Sequence, residues 1–202
     1  MDVFGTAQLK TYEEFLKVYQ PGDECREDYG KTLLFYATAN NDDEERYKIV
    51  KFLLSKGART DLVSPSGFNL LNILLCSPPY EKKDLPKIIE LCKAFIEGGA
   101  SVNHINKNGE TPLNGLMNFW KYSDEELAPL YDLFEAQGDL LVTYENNWGY
   151  SAIDLAKKLP NRQSLVKRLE KYVNSPLNTV QKPKPKKKRT YKRKAENKEN
   201  DS

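Results

Sequence analysis

Apolar residues in this chain come in paired runs, and each pair is followed by a glycine and a polar link. Thr32 to Ala39 is the first short run. After Asn40-Asn-Asp-Asp-Glu-Glu45 a second run sets Ile49, Val50, Phe52, Leu53 and Leu54 three and four positions apart, the period of a helix that buries one stripe. Leu70 to Cys76 and then Ile88, Ile89, Leu91, Cys92 and Phe95 repeat the order. Between them Ser77-Pro-Pro79 ends one helix, Tyr80 to Asp84 is inserted, and Pro86 starts the next. Leu113 to Trp120 with Leu127, Leu130, Leu133 and Phe134 is a third copy. Ser151 to Leu159 with Asn161 to Val173 is a fourth. Four helix pairs are predicted. Local signals agree: Thr11-Tyr-Glu-Glu14 and Ser123-Asp-Glu-Glu126 are capping boxes, and Asn41 or Asp42 caps the helix before Ile49, with acid where the helix dipole favours it.

Glycines mark the period. Gly30, Gly67, Gly109 and Gly149 each open a pair; Gly57, Gly99 and Gly138 each close one. From each closing glycine to the next opening one is 10, 10 and 11 residues, a regularity that a helical protein without repeats has no reason to keep. The clearest copy is Gly109-Glu-Thr-Pro-Leu113, preceded by Phe95-Ile-Glu-Gly-Gly-Ala-Ser-Val-Asn103.

These motifs resemble the ankyrin repeat, with its Gly-x-Thr-Pro-Leu-His-x-Ala opening and its second helix ending Leu-Leu-x-x-Gly-Ala. The resemblance covers about residues 8–173. It is strongest in the third unit and weakest in the second, where Asn69-Leu70 stands for Thr-Pro. The family's histidine is replaced throughout, by Phe35, Asn72, Asn114 and Asp154. The units run 27, 32 and 29 residues from opening to closing glycine. A period of about 33 residues leaves about 23 for that stretch, so extra residues must lie at the turn between the two helices. The resemblance implies an all-α, ankyrin-type solenoid of helix pairs joined by short β-hairpin links. Residues 1–28, with Phe15, Leu16 and Tyr19 ahead of Pro21-Gly22, are expected to form an N-terminal half-repeat that shields the first full unit. Residues 29–174 would be the array and residues 175–202 a disordered basic tail.

The tail changes the charge picture. The chain of 202 residues carries +2 overall, but residues 181–202 hold ten Lys/Arg and three Asp/Glu, so +7 lies there and −5 on residues 1–180. Proline-spaced lysines with almost no apolar content cannot bury enough surface to offset chain entropy. Lys186, Lys187, Lys188, Arg189, Lys192, Arg193 and Lys194 read three ways: a nuclear import signal, an arm that holds nucleic acid or an acidic partner, or a solubilising terminus. The N-terminus lacks the basic-then-apolar order of a secretion signal, and no apolar run approaches the ~20 residues of a membrane helix. A cytoplasmic protein without membrane association is expected, nuclear if the source is eukaryotic and the tail is an import signal.

Residue types for catalysis are sparse. His104, the one histidine, falls in a link and is expected to be solvated. Cys25, Cys76 and Cys92 lack paired spacing, and the last two sit on apolar faces as small hydrophobes. Glycines are spread through the units rather than gathered in a phosphate loop. Arg162, Lys167, Arg168 and Lys171 are expected to face solvent on the last helix. No catalytic set, cofactor site or metal site is indicated.

The resemblance implies a binding surface made of the link tips and the exposed side of the inner helices. The tip residues flanking the opening glycines are Tyr29, Lys31, Ser66, Phe68, Asn108, Glu110, Trp148 and Tyr150. Four are aromatic, a residue type favoured at interface hot spots. The leading reading is a monomeric, non-catalytic module that binds another protein, one version being an inhibitor or immunity-type protein. The rival is a nucleic-acid-associated or nuclear adaptor anchored by its tail, and an enzyme is third.

Overall fold

The structure, a computed structural model, describes residues 1–180. It is all-α apart from one two-residue strand pair among the described residues. Helices α1 (Val3–Leu9), α3 (Leu33–Thr38), α5 (Leu70–Leu75), α7 (Pro112–Gly115) and α9 (Ala152–Lys157) pack in chain order into one row. Helices α2 (Tyr12–Val18), α4 (Asp43–Ser55), α6 (Leu85–Glu97), α8 (Asp124–Glu135) and α10 (Gln163–Leu169) form a second row. The rows share one apolar core, from Phe4 and Phe15 through Leu53, Leu74, Phe95 and Phe134 to Leu169. Burial between neighbouring pairs is how a chain of short helices gathers a core that no pair could make alone.

Three of the five first-row helices, α5, α7 and α9, start by a common device. Asn69, Thr111 and Ser151 each form a reciprocal capping box with the residue three ahead: Asn72, Asn114 and Asp154. Those three occupy the place of the family's histidine, so the departure has a local use: a side-chain oxygen accepts the N-cap amide. In the second row, Thr11 with Glu14 and Ser123 with Glu126 form the expected boxes, and Asp42, not Asn41, caps α4.

Several expectations change. Residues 1–28 hold two helices, α1 packed on α3 and α2 on α4, so the N-terminal segment is a helix pair rather than a half-repeat. The Leu113–Trp120 run makes one α-helical turn and a 3-10 turn, Leu116–Asn118, which leaves Trp120 70% exposed. Arg162 is fully buried, not solvated. Its guanidinium donates to the carbonyls of Phe119 (2.5 Å), Tyr122 (2.9 Å) and Asn161 (2.9 Å), with Asp124 3.9 Å away. Arg168 is half-buried against Asp132 and Glu135. Past the expected end of the array, Pro176–Val180 forms α11, whose Asn178 is buried. Asn178 accepts from the Val142 amide (2.7 Å) and the Thr143 amide (2.9 Å) and donates to Leu140 O (2.6 Å). The Lys/Arg cluster from Lys186 to Lys194 lies outside the described residues.

Candidate functional site

The last three links between pairs are tight turns, each built on one residue three before its opening glycine. Ser64, Asn106 and Asn146 are all buried. Asn106 Oδ1 accepts the Asn108 and Glu110 amides at 2.8 and 3.0 Å; Asn146 Oδ1 accepts those of Trp148 and Tyr150 at 3.0 and 3.1 Å. Ser64 Oγ takes the Phe68 amide at 3.1 Å. Because a side chain takes these amides, only the first link pairs as strands: β1 (Glu27–Asp28) with β2 (Lys31–Thr32). The expected β-hairpins of the later links are hydrogen-bonded turns with a single main-chain exchange, such as Asn106 N to Glu110 O at 3.0 Å. These three residues were missed in the sequence, although their constant offset from glycine is visible once sought.

Successive turns touch. The Asn147 amide donates to Asn108 O at 2.8 Å and its side chain to Lys107 O at 2.9 Å; Lys107 Nζ donates to Pro65 O. Gly30 in the first tip lies so close to Pro65 that a Cβ on it would sit 2.6 Å from Pro65 Cγ, so the four tips form a continuous ridge. His104 belongs to its base: it is half-buried, not solvated, with Nε2 2.8 Å from Gly67 O.

On this ridge the tip residues divide. Tyr29 is 89% exposed and sits at φ 48°, a left-handed conformation uncommon for a bulky residue, at the turn of the β1–β2 hairpin. Trp148 is 63% and Tyr150 41% exposed, on either side of Gly149, and Lys158 Nζ lies 3.3 Å from the Tyr150 ring centroid. Lys31 is half-buried, its Nζ 5.7 Å from the Tyr36 ring. Asn108 is also half-buried. Phe68 and Glu110 are brought together: both line a groove of about 190 Å³ beside α5 and α7, with Asn72, Cys76, Asn114 and Leu155. Cys76 is exposed there rather than buried, while Cys92 is fully buried, and burial pushes its thiol far up. Tyr29, in the first unit, is not part of that groove.

The opposite edge holds the inserted residues. Tyr80 (86% exposed) and Trp120 stand on it, and Lys121 donates to Tyr80 O at 2.5 Å with its ammonium 5.6 Å from the Tyr80 ring. Tyr122 is buried beneath them, donating to Pro79 O at 3.1 Å, and burial pushes its phenol up to about 12. Among the described residues no group of three or more His, Cys, Asp or Glu is arranged to hold a metal, and no helix is long and apolar enough to cross a membrane.

Stacked helix pairs edged by a ridge of tight turns define a repeat protein that displays side chains on a fixed scaffold. The ankyrin repeat family model matches residues 29–64, one unit from its tip at Tyr29 to the next link, and that unit is an ankyrin repeat. Among solved structures, the crystal structure of a functionally unknown protein from Leptotrichia buccalis C-1013-b is 30% identical, with a TM-score of 0.70. The match covers 85% of this chain and 92% of that one. No curated protein matches.

Proposed function

We propose that this chain is a non-catalytic, monomeric ankyrin solenoid that binds another protein through its tip ridge and the groove beside its inner helices. The observation that carries this is the exposure of Tyr29 on the strand-paired first turn and of Trp148 and Tyr150 on a turn locked by buried Asn146. Large aromatic surface is unfavourable in water and contributes strongly at the centre of interfaces. Tyr29 takes the positive φ that the two-residue β1–β2 turn asks of its first residue, at a cost of about 1–3 kcal/mol for a side chain that is not glycine, and its ring is left in water. Inhibition of a basic target is the version that the −5 charge of residues 1–180 would suit.

The test is affinity capture from the native cell with wild type, with Tyr29→Ala/Trp148→Ala, and with residues 181–202 deleted, each at 50 and 200 mM salt. The tip variant should lose the protein partner with its melt unchanged, and the tail deletion should keep it. Binding carried by the tail's charges would fall by orders of magnitude over that salt range, and binding carried by buried aromatics far less. Capture lost with the tail alone would replace this reading with the nucleic-acid one.

A further inference from the structure

The edge away from the tips carries the residues that lengthen the second and third units, and side chains of each following unit hold its backbone. Tyr122 donates to Pro79 O at 3.1 Å and to Glu81 O at 3.3 Å. Asn161 Nδ2 donates to Trp120 O at 2.8 Å, and Arg162 donates to the carbonyls of Phe119 and Tyr122 around it. The two exposed rings of this edge, Tyr80 and Trp120, therefore ride on fixed backbone. A partner that covers them has little order left to impose.

Of the four lysines around Tyr80 and Tyr122, three have a carboxylate. Lys82 pairs with Glu126 at 2.7 Å, Lys83 with Glu81 at 2.6 Å, and Lys87 with Asp84 at 2.5 Å and with Glu44. The fourth, Lys121, has no carboxylate partner among the described residues. Its ammonium donates to Tyr80 O and lies 5.6 and 5.7 Å from the Tyr80 and Tyr122 ring centroids. An ammonium has three donors, so two are left over. The ligand that uses them is a carboxylate with apolar neighbours. Its ion pair would form where the covered rings exclude water, and charge-assisted bonds are strongest there.

We propose that this edge is a second protein-binding surface, on which Lys121 pairs with an aspartate or glutamate of the partner while Tyr80 and Trp120 cover the apolar side chains beside that carboxylate. A polyphosphate fits less well, because residues 1–180 carry −5 and Asp43, Glu44 and Glu81 line the hollow next to Tyr80. The surface is separate from the tip ridge and does not rest on the reading of that ridge.

A random peptide library displayed on phage tests this. Passage over full-length Lys121→Gln removes whatever binds the tips or the basic tail, both of which that variant keeps; the remainder is selected on the unaltered chain. Selected sequences should place an acidic residue next to an aromatic or aliphatic one. A synthetic copy should bind the unaltered chain at least about tenfold more tightly than Lys121→Gln, the factor for a lost hydrogen bond between charged groups. In full-length Trp148→Phe, Trp120 is the one tryptophan left, and its fluorescence should shift as the peptide is added. Trp120→Ala leaves the lysine contacts in place and replaces Lys121→Gln in the depletion if the latter melts early; it should weaken binding by a similar factor. Tyr29→Ala/Trp148→Ala should bind the peptide as the unaltered chain does. An empty selection, sequences rich in lysine or arginine, or a peptide that leaves the Trp120 signal unmoved overturns the proposal. So does a single-stranded oligonucleotide that competes with the same dependence on Lys121, which would make the ligand a polyphosphate. Peptide binding and tip-dependent capture are read in different variants, so either reading can fail while the other stands.

Discussion

Gly109 answers two demands at once. Its φ is +77°, a region costly for any L side chain, and a Cβ there would lie 2.9 Å from Asn146 Cα, against backbone of the next turn. Gly149 has nearly the same angle, φ +80°, but nothing within 4 Å of its Cβ. The pair separates conformation from contact. Gly149→Ala should cost about 1 kcal/mol, the conformational share, and Gly109→Ala about 2–3, because the neighbouring turn must shift as well. Urea midpoints of the two variants decide it; equal costs would mean that the ridge is not in contact there. Both glycines were legible in the sequence, because a conformational requirement fixes residue type. Arg162 was not. A basic residue on a terminal helix reads as solvated, and it is buried here by carbonyls of Phe119 and Tyr122, in an irregular turn some forty residues earlier that no local pattern foretells. Ser64, Asn106 and Asn146 stand between the two cases: polar, and therefore unremarkable one at a time, yet repeated at a fixed offset.

At the scale of elements, helices were readable and their endings less so. Apolar spacing and caps locate the two rows, because each helix must bury a stripe and satisfy its first amides. What closes the array was hidden by composition. The polar, proline-containing stretch after Val173 looks like the start of the tail, yet α11 docks through one asparagine. The Leu140–Thr143 link is held from both sides: Asn103 donates to Asp139 O and accepts the Leu141 amide, both at 2.8 Å, and Asn178 takes the next groups along. Asn178→Ala would leave two amides and a carbonyl of a buried segment unmatched. A loss of about 2–4 kcal/mol is expected, confined to the fourth unit. Hydrogen exchange at the Val142 and Thr143 amides should accelerate while Leu53 and Phe95 amides keep their protection. Uniform acceleration would show instead that α11 supports the whole stack.

For the whole molecule, stability is the sum of weak units and the contacts between neighbours, so the ends matter more than their size suggests. The N-terminal pair covers the first full unit with specific partners. Phe52 of α4 meets Tyr12, Phe15 and Tyr19 at centroid distances of 5.9, 5.9 and 4.9 Å, and Phe4 sits 5.3 Å from Tyr36. Polar groups close the same interface, with Asn40 Nδ2 donating to Ala7 O at 3.0 Å and Lys10 O at 3.1 Å. Removing residues 1–28 would strip Phe52 of all three ring partners, leave Asn40 without those acceptors, and turn the apolar sides of α3 and α4 to water. Each ring contact is worth about 0.5–1.5 kcal/mol beyond its area, and the buried area of Phe4 and Phe15 adds about 1.5–3 kcal/mol apiece. That total is comparable to the stability of an entire small domain. The truncated chain should therefore bind a hydrophobic dye, associate on gel filtration, and lose the cooperative melt of the full-length protein. A sharp melt from a monomeric 29–202 fragment would mean that α3 and α4 already close the stack, and that the first pair serves some purpose other than covering it.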